Sequence, residues 1–250
     1  MVTPLESEPA SSPAGRLRAI GSVIWAERPT PSATPFTVGY LLLLAGSTLV
    51  LGVVDHDLHH KILAESSTDV AHLESAPVRV LVASALWLPD MHWIAYAVLF
   101  GLVLSPVERR VGPGWTFVIF ASGHVLATLA TELPVEAAID AGWLPASAAH
   151  RLDVGVSYGF HAVLGAMLGM FAGRRRRALG ALVAAAVVIP VAIDHDVTTI
   201  GHLMSVAVGV AWWPWLRRRG LLGHPALEPF RGRSVRRRRL PDALVSTRTG

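Results

Sequence analysis

Long apolar runs that are almost free of charged side chains constrain this chain more than any other feature. Six such runs cover residues 36–54, 91–107, 115–132, 155–173, 178–193 and 198–216. A helix that crosses a bilayer needs about 20 consecutive apolar residues, because lipid offers no partners to exposed backbone groups. Only 16% of the residues are charged, whereas soluble domains average about 25%. We therefore predict an all-α polytopic membrane protein, with a bundle of six transmembrane helices at residues 36–216.

The segments outside the six runs have a different composition. Residues 1–35 are rich in Pro, Ser and Ala, and they contain neither an apolar core nor a convincing cleavage site. We predict a disordered cytoplasmic N-terminal tail there, without a signal peptide. Residues 217–250 combine Arg, Pro and Gly without an apolar run, which predicts a basic, disordered or lipid-associated cytoplasmic tail. The stretch 77–87 is apolar enough for a half-buried helix before the second run.

The placement of the arginines predicts the orientation in the membrane. Arginines cluster after the second, fourth and sixth runs, whereas the remaining loops are acidic or rich in histidine. Because positive charge is retained on the cytoplasmic side, both termini are predicted to be cytoplasmic, in a cell-membrane protein. Arginines next to apolar runs are typical topology signals and contacts to membrane lipids. We therefore predict no nucleic-acid partner.

Two outer clusters of acidic and histidine residues raise the alternative of metal binding. They are residues 55–60, which include His56 and His60 four positions apart, and residues 194–196. Imidazole and carboxylate together suit Zn²⁺, but the spacing matches no specific zinc pattern. A solvated polar helix end is the favoured interpretation, so we predict neither a metal nor a cofactor. The absence of cysteine excludes disulfides and thiolate chemistry.

The fourth and sixth runs each carry a residue that suits nucleophilic chemistry. Ser157 and His202 both lie just inside the predicted outer ends of their runs, a few residues after Asp153 and Asp196. At a rise of about 1.5 Å per residue, the two side chains have similar depths. A serine hydroxyl becomes a nucleophile when a neighbouring base takes its proton. These two residues are therefore a candidate nucleophile and base.

Small residues continue along the same helical face below each candidate. The two stripes comprise Ser157, His161, Gly165 and Gly169 in the fourth run, and His202, Ser205 and Gly209 in the sixth. Small residues four positions apart let membrane helices approach closely. We predict that the stripes pack together and bring the hydroxyl to the imidazole. The alternative is that these residues serve helix packing alone, with His161 bridging neighbouring helices, and spacing by itself favours that alternative.

Four sequence blocks resemble, in order, motifs of the rhomboid family of six-span intramembrane serine proteases. They are His92 in MHWIAYAVLFGLVL, the turn Glu108-Arg109-Arg110-Val111-Gly112, the block Gly155-Val156-Ser157, and His202-Leu203-Met204-Ser205 with Gly209. The resemblance covers roughly Ser84 to Trp215. It implies that Ser157 is the nucleophile and His202 the base, in an enzyme that cleaves transmembrane segments of membrane proteins. It further implies that His92 and the backbone around Gly155 and Ser157 stabilise the oxyanion.

Three positions depart from the family pattern. Tyr96 stands where the family commonly has Asn, and Tyr158 stands where many members have Gly directly after the nucleophile. Ser205 replaces the Gly that lies three residues after the base. Residues 66–87 show no Trp-Arg motif. We predict that Tyr96 serves as a further oxyanion donor and that Tyr158 orients His202, or else anchors the helix at the lipid interface. The departures keep a second function open, that of an inactive rhomboid-like protein that binds membrane clients.

Overall fold

The computed structural model describes residue 22 and residues 26–88, 92–194 and 196–222. Within this part of the chain the regular structure is helical, which confirms the all-α class. The helices are α1 (Pro35–Val53), α2 (His56–Glu65), α3 (Val70–Ser75), α4 (Pro77–Ser84), α5 (Trp93–Val111), α6 (Pro113–Asp140), a 3-10 helix (Ala146–His150), α7 (Ser157–Leu168), α8 (Gly173–Asp194), α9 (Val197–Ala211) and α10 (Trp213–Arg218).

Each of the six predicted apolar runs contains a helix, and these helices differ in length and charge. Among the described residues, α1, α6 and α8 are long and apolar enough to cross a membrane. The last turn of helix α5 contains Glu108, Arg109 and Arg110. Helices α7 and α9 contain 12 and 15 residues, which is short for an untilted span. The predicted helix before the second span is present as α4, whereas the count of six spans stays a prediction.

Helix α7 occupies the centre of the bundle. It packs against α5, α6 and α9, while α1 packs on the far side of α5 and α6. The core between these helices includes Phe100, Ile119, Ala162 and Val163, all of which are fully buried. Helix α8 is peripheral, and Val187 is its only buried residue. The two helices that carry Ser157 and His202 are therefore neighbours in the most buried part of the protein.

A buried carboxylate joins α1 to the end of α5. The side chain of Glu108 is 1% exposed. Its two oxygens accept hydrogen bonds from the backbone N–H of Phe36 at 2.7 Å, and from the backbone N–H and hydroxyl of Thr37 at 2.8 and 2.6 Å. The first N–H groups of a helix have no partner within the helix, and the helix dipole favours negative charge there. Glu108 therefore caps α1 from another helix.

The turn after this carboxylate depends on a glycine. Gly112 lies between α5 and α6 with φ of +86°, which is in the left-handed region that side chains with a Cβ rarely adopt. Its N–H donates to the carbonyl of Glu108 at 2.8 Å and closes α5. The chain can then reverse direction within one residue and begin α6 at Pro113. The predicted Glu-Arg-x-x-Gly turn is thus a helix cap followed by a sharp reversal.

The predicted boundaries of both tails need correction. Residues 26–34 are described and pack on α5, where the Ser105 hydroxyl donates to the Glu27 carbonyl at 2.6 Å. Thr34 is fully buried, so the tail predicted for residues 1–35 ends earlier than expected. At the other end, α10 continues to Arg218, and the buried Leu222 joins the core. Residues 1–21, 23–25 and 223–250 of the predicted tails lie outside the described part of the chain.

Tryptophans fix the end of α9 to its neighbours. The indole N–H of Trp212 donates to the Ser122 hydroxyl on α6, and that of Trp213 donates to the Gly165 carbonyl on α7, both at 3.0 Å. Arg217 lies over the Trp213 ring at 5.4 Å. Indole rings combine an apolar body with one donor, which suits the end of a membrane helix. These bonds hold α9 at a fixed height relative to α6 and α7.

We expect Glu108→Ala to lower the free energy of unfolding by roughly 3 kcal/mol, because it leaves buried donors at the start of α1 without an acceptor. The measurement is unfolding in mixed micelles followed by circular dichroism. Asp140→Ala, at an exposed position at the end of α6, is the matched control and should change stability little. Equal effects of the two substitutions would contradict the capping role.

Candidate active site

The structure brings the side chains of Ser157 and His202 together. Nε2 of His202 lies 3.0 Å from Oγ of Ser157, which is hydrogen-bond distance. Ser157 is the first residue of α7, and His202 lies in the second turn of α9. When Nε2 carries no proton, the hydroxyl donates to it, and this is the arrangement in which an imidazole can take the proton of a nucleophile.

The approach of α7 and α9 depends on two glycines that lack side chains. A Cβ at Gly165 would overlap the carbonyl oxygen of Val206, and one at Gly209 would overlap the carbonyl oxygen of Ala162. The two backbones are therefore in direct contact. Any larger residue at either position would move the helices apart. The hydrogen bond between Ser157 and His202, less than three turns away along both helices, depends on this contact.

The other two small residues of the predicted stripes have different neighbours. The hydroxyl of Ser205 is buried and donates to the carbonyl of Gly123 on α6 at 3.3 Å, at a point where α6 itself packs against Ala162 of α7. A Cβ at Gly169 would meet the ring of Trp213 and the side chain of Leu222, which lie beyond α9. Trp213 belongs to the predicted sixth run, residues 198–216, so Gly169 packs against that run, while the hydroxyl of Ser205 bonds α6. Their positions are set by the three-helix arrangement, which spacing along one helix does not reveal.

The loop before Ser157 is held by a backbone contact to α4. Gly155 has φ of +143°, in a region that residues with a Cβ rarely adopt, and its N–H donates to the carbonyl of Ser84 at 3.0 Å. Helix α7 begins two residues later. The N–H of Ser157 belongs to the first turn, where backbone donors lack partners within the helix. The turn at Gly155 thus fixes where α7 begins. The first N–H groups of α7 and the positive end of its dipole therefore lie at the site.

Two further side chains surround the imidazole of His202. The ring of His161 stacks on it with centroids 4.2 Å apart, and Nδ1 of His161 lies 2.8 Å from the carbonyl oxygen of Ser157. The ring of Tyr158 meets His202 edge-on at 5.6 Å, and it occupies the space beside Gly201 that a Cβ there would fill. Tyr158 is 3% exposed, so its side chain lies inside the bundle. An anchor at the lipid interface, the alternative predicted for Tyr158, would need an exposed ring. Both residues restrict the orientation of His202.

His92 and Tyr96 lie at the start of α5. His92 is exposed and immediately precedes the helix. Tyr96 meets Phe100 edge-on at 6.0 Å, and Phe100 stacks on Phe160 of α7 at 5.4 Å. Tyr96 is thereby joined to α7 through aromatic packing. Their roles as oxyanion donors stay predictions.

An ion pair behind the site was not expected from the sequence. The guanidinium of Arg151 bonds the buried carboxylate of Glu132 on α6, and it also donates to the hydroxyl of Thr198 on α9 at 3.2 Å. The sequence places Glu132 at the end of the third apolar run and Arg151 in the acidic loop that follows it. Because α6 continues to Asp140, Glu132 lies inside the helix. The pair joins α6 to the first turn of α9, and no local pattern signals a contact between residues 19 positions apart.

The irregular segment that leads to Ser157 is also held by the residues between α2 and α3. The backbone N–H of Thr68 donates to the carbonyl of Asp153 at 2.9 Å, and the N–H of Asp153 donates to the Ser67 hydroxyl at 3.0 Å. Burial raises the pKa of the Asp153 carboxyl above its ordinary value of 3.8. The segment between α2 and α3 therefore holds the loop that precedes the nucleophile candidate.

The outer histidine clusters do not form a metal centre in the described part of the chain. Nε2 of His56 lies 3.1 Å from Nε2 of His60, so the two imidazoles share one face of α2. Across residues 26–88, 92–194 and 196–222, no group of three or more histidine and acidic side chains is placed to hold an ion. His195, from the second cluster, lies outside the described residues.

We expect Gly209→Ala to destabilise the protein by roughly 1–3 kcal/mol, because the new methyl group would overlap the backbone of α7. Gly180→Ala is the matched control, since a Cβ at that position of α8 meets nothing within 4 Å. Unfolding in mixed micelles measures both. A Gly209→Ala variant that is as stable as the control would show that the helices do not touch as described.

Asp153→Asn tests the buried carboxyl through the pH dependence of stability. A raised pKa means that the folded state holds the proton more tightly, so stability is lost as the pH rises from 3.8 through the folded-state pKa. The variant lacks this titration. Its free energy of unfolding relative to the wild type should therefore increase across that window and level off above it. A constant or decreasing difference would contradict the burial of an ionisable group here.

One known protein family matches this chain. A family model described as rhomboid-like protein matches residues 32–221, from just before α1 to just after α10. No curated protein and no solved structure gives a significant match. The matched range includes the whole described bundle and both residues of the candidate pair. The chain therefore belongs to the rhomboid-like family of membrane proteins.

Proposed function

We propose that the protein is an intramembrane serine endopeptidase that cleaves transmembrane segments of other membrane proteins. The observation that carries the proposal is the 3.0 Å separation of Ser157 Oγ and His202 Nε2 between two helices of the bundle. A nucleophile and base within hydrogen-bond reach are the minimum requirement for acyl transfer. Membership of the rhomboid-like family supports the same chemistry.

In this mechanism, His202 Nε2 takes the proton as Ser157 Oγ attacks the scissile carbonyl carbon. The resulting oxyanion accepts hydrogen bonds from the Ser157 N–H at the start of α7 and from the side chain of His92, with Tyr96 as a further donor. His202 then gives its proton to the leaving amine, which breaks the peptide bond. Water attacks the acyl-enzyme, His202 takes a proton from that water, and Ser157 is regenerated. The residues of this chain suffice for each step.

The neighbours of His202 supply its orientation. The stacked ring of His161 and the edge of Tyr158 oppose rotation of the imidazole. Holding a base in the productive geometry before substrate arrives lowers the entropic cost of reaching the transition state. Both are positioning residues in the proposal, because they act on His202 rather than on the substrate.

The proposal includes an orientation in the membrane. Arginines lie in the last turn of α5, at the start of α8 and in the last turn of α10, whereas Ser157 and His202 lie near the opposite helix ends. By the positive-inside rule, both termini are cytoplasmic and the site opens toward the outer side of the cell membrane. The partners are then transmembrane substrates that enter from the bilayer, together with membrane lipids.

A second function is that of an inactive rhomboid-like protein that binds membrane clients. The observation in its favour is that Tyr96 and Tyr158 stand where the family pattern has Asn and Gly. Loss of one oxyanion donor costs on the order of a hundredfold in rate or more. The same helices would then present a client-binding surface without hydrolysis.

Labelling with a fluorophosphonate probe separates the two functions. The probe is added to detergent-purified wild type, Ser157→Ala, His202→Ala and the control Ser47→Ala, which removes a hydroxyl from α1. For the protease we expect labelling of the wild type and the control, and its loss in both site variants, because the hydroxyl needs its base.

The outcomes lead to different assignments. Labelling that persists in Ser157→Ala would mean that another serine reacts and would refute the proposed dyad. A folded wild type that takes up no probe would favour the client-binding function. Circular dichroism of each variant establishes that a loss of labelling is not a loss of fold.

A further inference from the structure

A dense group of arginines lies at one end of the bundle. It comprises residues 174–177 at the start of α8 and residues 217–219 at the end of α10, and we call it the arginine group. The two parts meet in space, because side chains from both lie over the same ring, that of Trp213. No member of the group forms an ion pair within the part of the chain that the structure describes. The arginine group therefore concentrates positive charge that the described acidic residues do not balance.

Three members of the arginine group stack on tryptophans. Cζ of Arg176 and Cζ of Arg217 lie 5.7 and 5.4 Å from the centroid of the Trp213 ring. Cζ of Arg219 lies 5.0 Å from the centroid of the Trp215 ring. A guanidinium over an indole, within about 6 Å of the centroid, is attracted by the negative face of the ring. These contacts order long side chains in advance, so less rotamer freedom is lost when a ligand binds.

The two indole rings are themselves fixed by the bundle. The N–H of Trp213 donates to the Gly165 carbonyl on α7 at 3.0 Å. The ring of Trp215 packs against that of Trp115 on α6, with centroids 4.1 Å apart. The stacked guanidinium groups therefore lie on rings whose positions are set by α6 and α7.

Stacking occupies the face of a guanidinium and leaves the N–H groups at its edge available. Each guanidinium carries five N–H donors in one plane and no acceptor. Within the described residues, no hydrogen bond engages the side chains of Arg176, Arg217 and Arg219. The side chains of Arg109 and Arg110, by contrast, donate to backbone carbonyls. A planar fork of donors matches the oxygens of an anion such as phosphate, which can accept two parallel hydrogen bonds from it.

The position of the arginine group identifies a membrane lipid as the source of the anion. Helix α8 is long and apolar enough to cross a bilayer, and it begins with these arginines. Its surface beyond them is apolar, with Leu182 and Ile189 exposed. Arginines at the end of such a helix lie at the level of the lipid headgroups, where anionic lipids carry their phosphate. A lipid can place its phosphate at the arginine group and its acyl chains along α8, whereas free phosphate gains only the first contact.

We propose that Arg176, Arg217 and Arg219 bind the phosphate group of an anionic phospholipid whose acyl chains lie along α8. A zwitterionic lipid such as phosphatidylcholine has a positive group beside its phosphate, which the surrounding arginines repel. The bound headgroup joins α8 to α10, and it thereby adds a contact to a helix whose only buried residue is Val187. The proposal does not depend on whether Ser157 reacts.

Native mass spectrometry of the detergent-purified full chain measures the binding. The ligands are phosphatidylglycerol and phosphatidylcholine with identical acyl chains, each added over a range of concentrations. We expect phosphatidylglycerol to bind about tenfold more tightly, as one additional charge-assisted hydrogen bond implies. Inorganic phosphate at the same concentration should not displace it, because phosphate lacks the acyl chains. Equal binding of the two lipids, or displacement by inorganic phosphate, would overturn the proposed ligand.

Four single substitutions test whether the stacked arginines form a specific site. Arg176→Gln and Arg217→Gln each remove a stacked guanidinium, and we expect each to weaken phosphatidylglycerol binding about tenfold. Arg174→Gln and Arg218→Gln are matched controls, because they remove the same charge from exposed positions of the same two helices that stack on no ring in the described part of the chain. We expect these controls to weaken binding less than about twofold. Equal effects in all four variants, each shown by circular dichroism to be folded, would overturn the site.

Discussion

The backbone contact between α7 and α9 is the interaction on which the rest of the structure depends. Within a bilayer, lipid is as apolar as a leucine side chain, so helices gain little from hiding apolar surface against each other. Close packing becomes the main attraction, and it is largest where backbones touch. Gly165 and Gly209 permit this contact because neither has a Cβ. The contact fixes the height and rotation of both helices, and so the 3.0 Å distance between Ser157 and His202.

The candidate pair is also held at the first turns of α7 and α9, by contacts of a different kind. The chain before Ser157 is bonded through Gly155 to α4 and through Asp153 to the segment between α2 and α3. The ion pair of Glu132 and Arg151 ties α6 to the first turn of α9. Polar contacts are available there because the backbone N–H and C=O groups of loops can bond other segments, whereas those inside a helix already bond each other. Close packing at the glycines thus holds α7 and α9 together, and hydrogen bonds hold the ends at which the two helices begin.

Glu108 shows how a charged side chain is accommodated at the opposite end of the bundle. An isolated carboxylate in an apolar core is very unfavourable. Here three donors from the start of α1 surround it, and the helix dipole adds a favourable field. The carboxylate therefore connects α1 to α5 at a place where side-chain packing alone would leave the first N–H groups of α1 without partners. Gly112 then allows the immediate turn into α6.

The sequence by itself determined the helical class, the positions of the six apolar helices and the pairing of Ser157 with His202. Apolar runs and small residues at helical spacing are local properties, because they follow from the geometry of a single helix. Tertiary structure decided the particular partner of each small residue, so that Gly169 meets the ring of Trp213 and the hydroxyl of Ser205 bonds the carbonyl of Gly123. It also decided the ion pair of Glu132 with Arg151 and the stacking of His161 on His202. These features depend on the relative rotation of separate helices, which is set by the packing of the whole bundle and leaves no periodic signal in the chain.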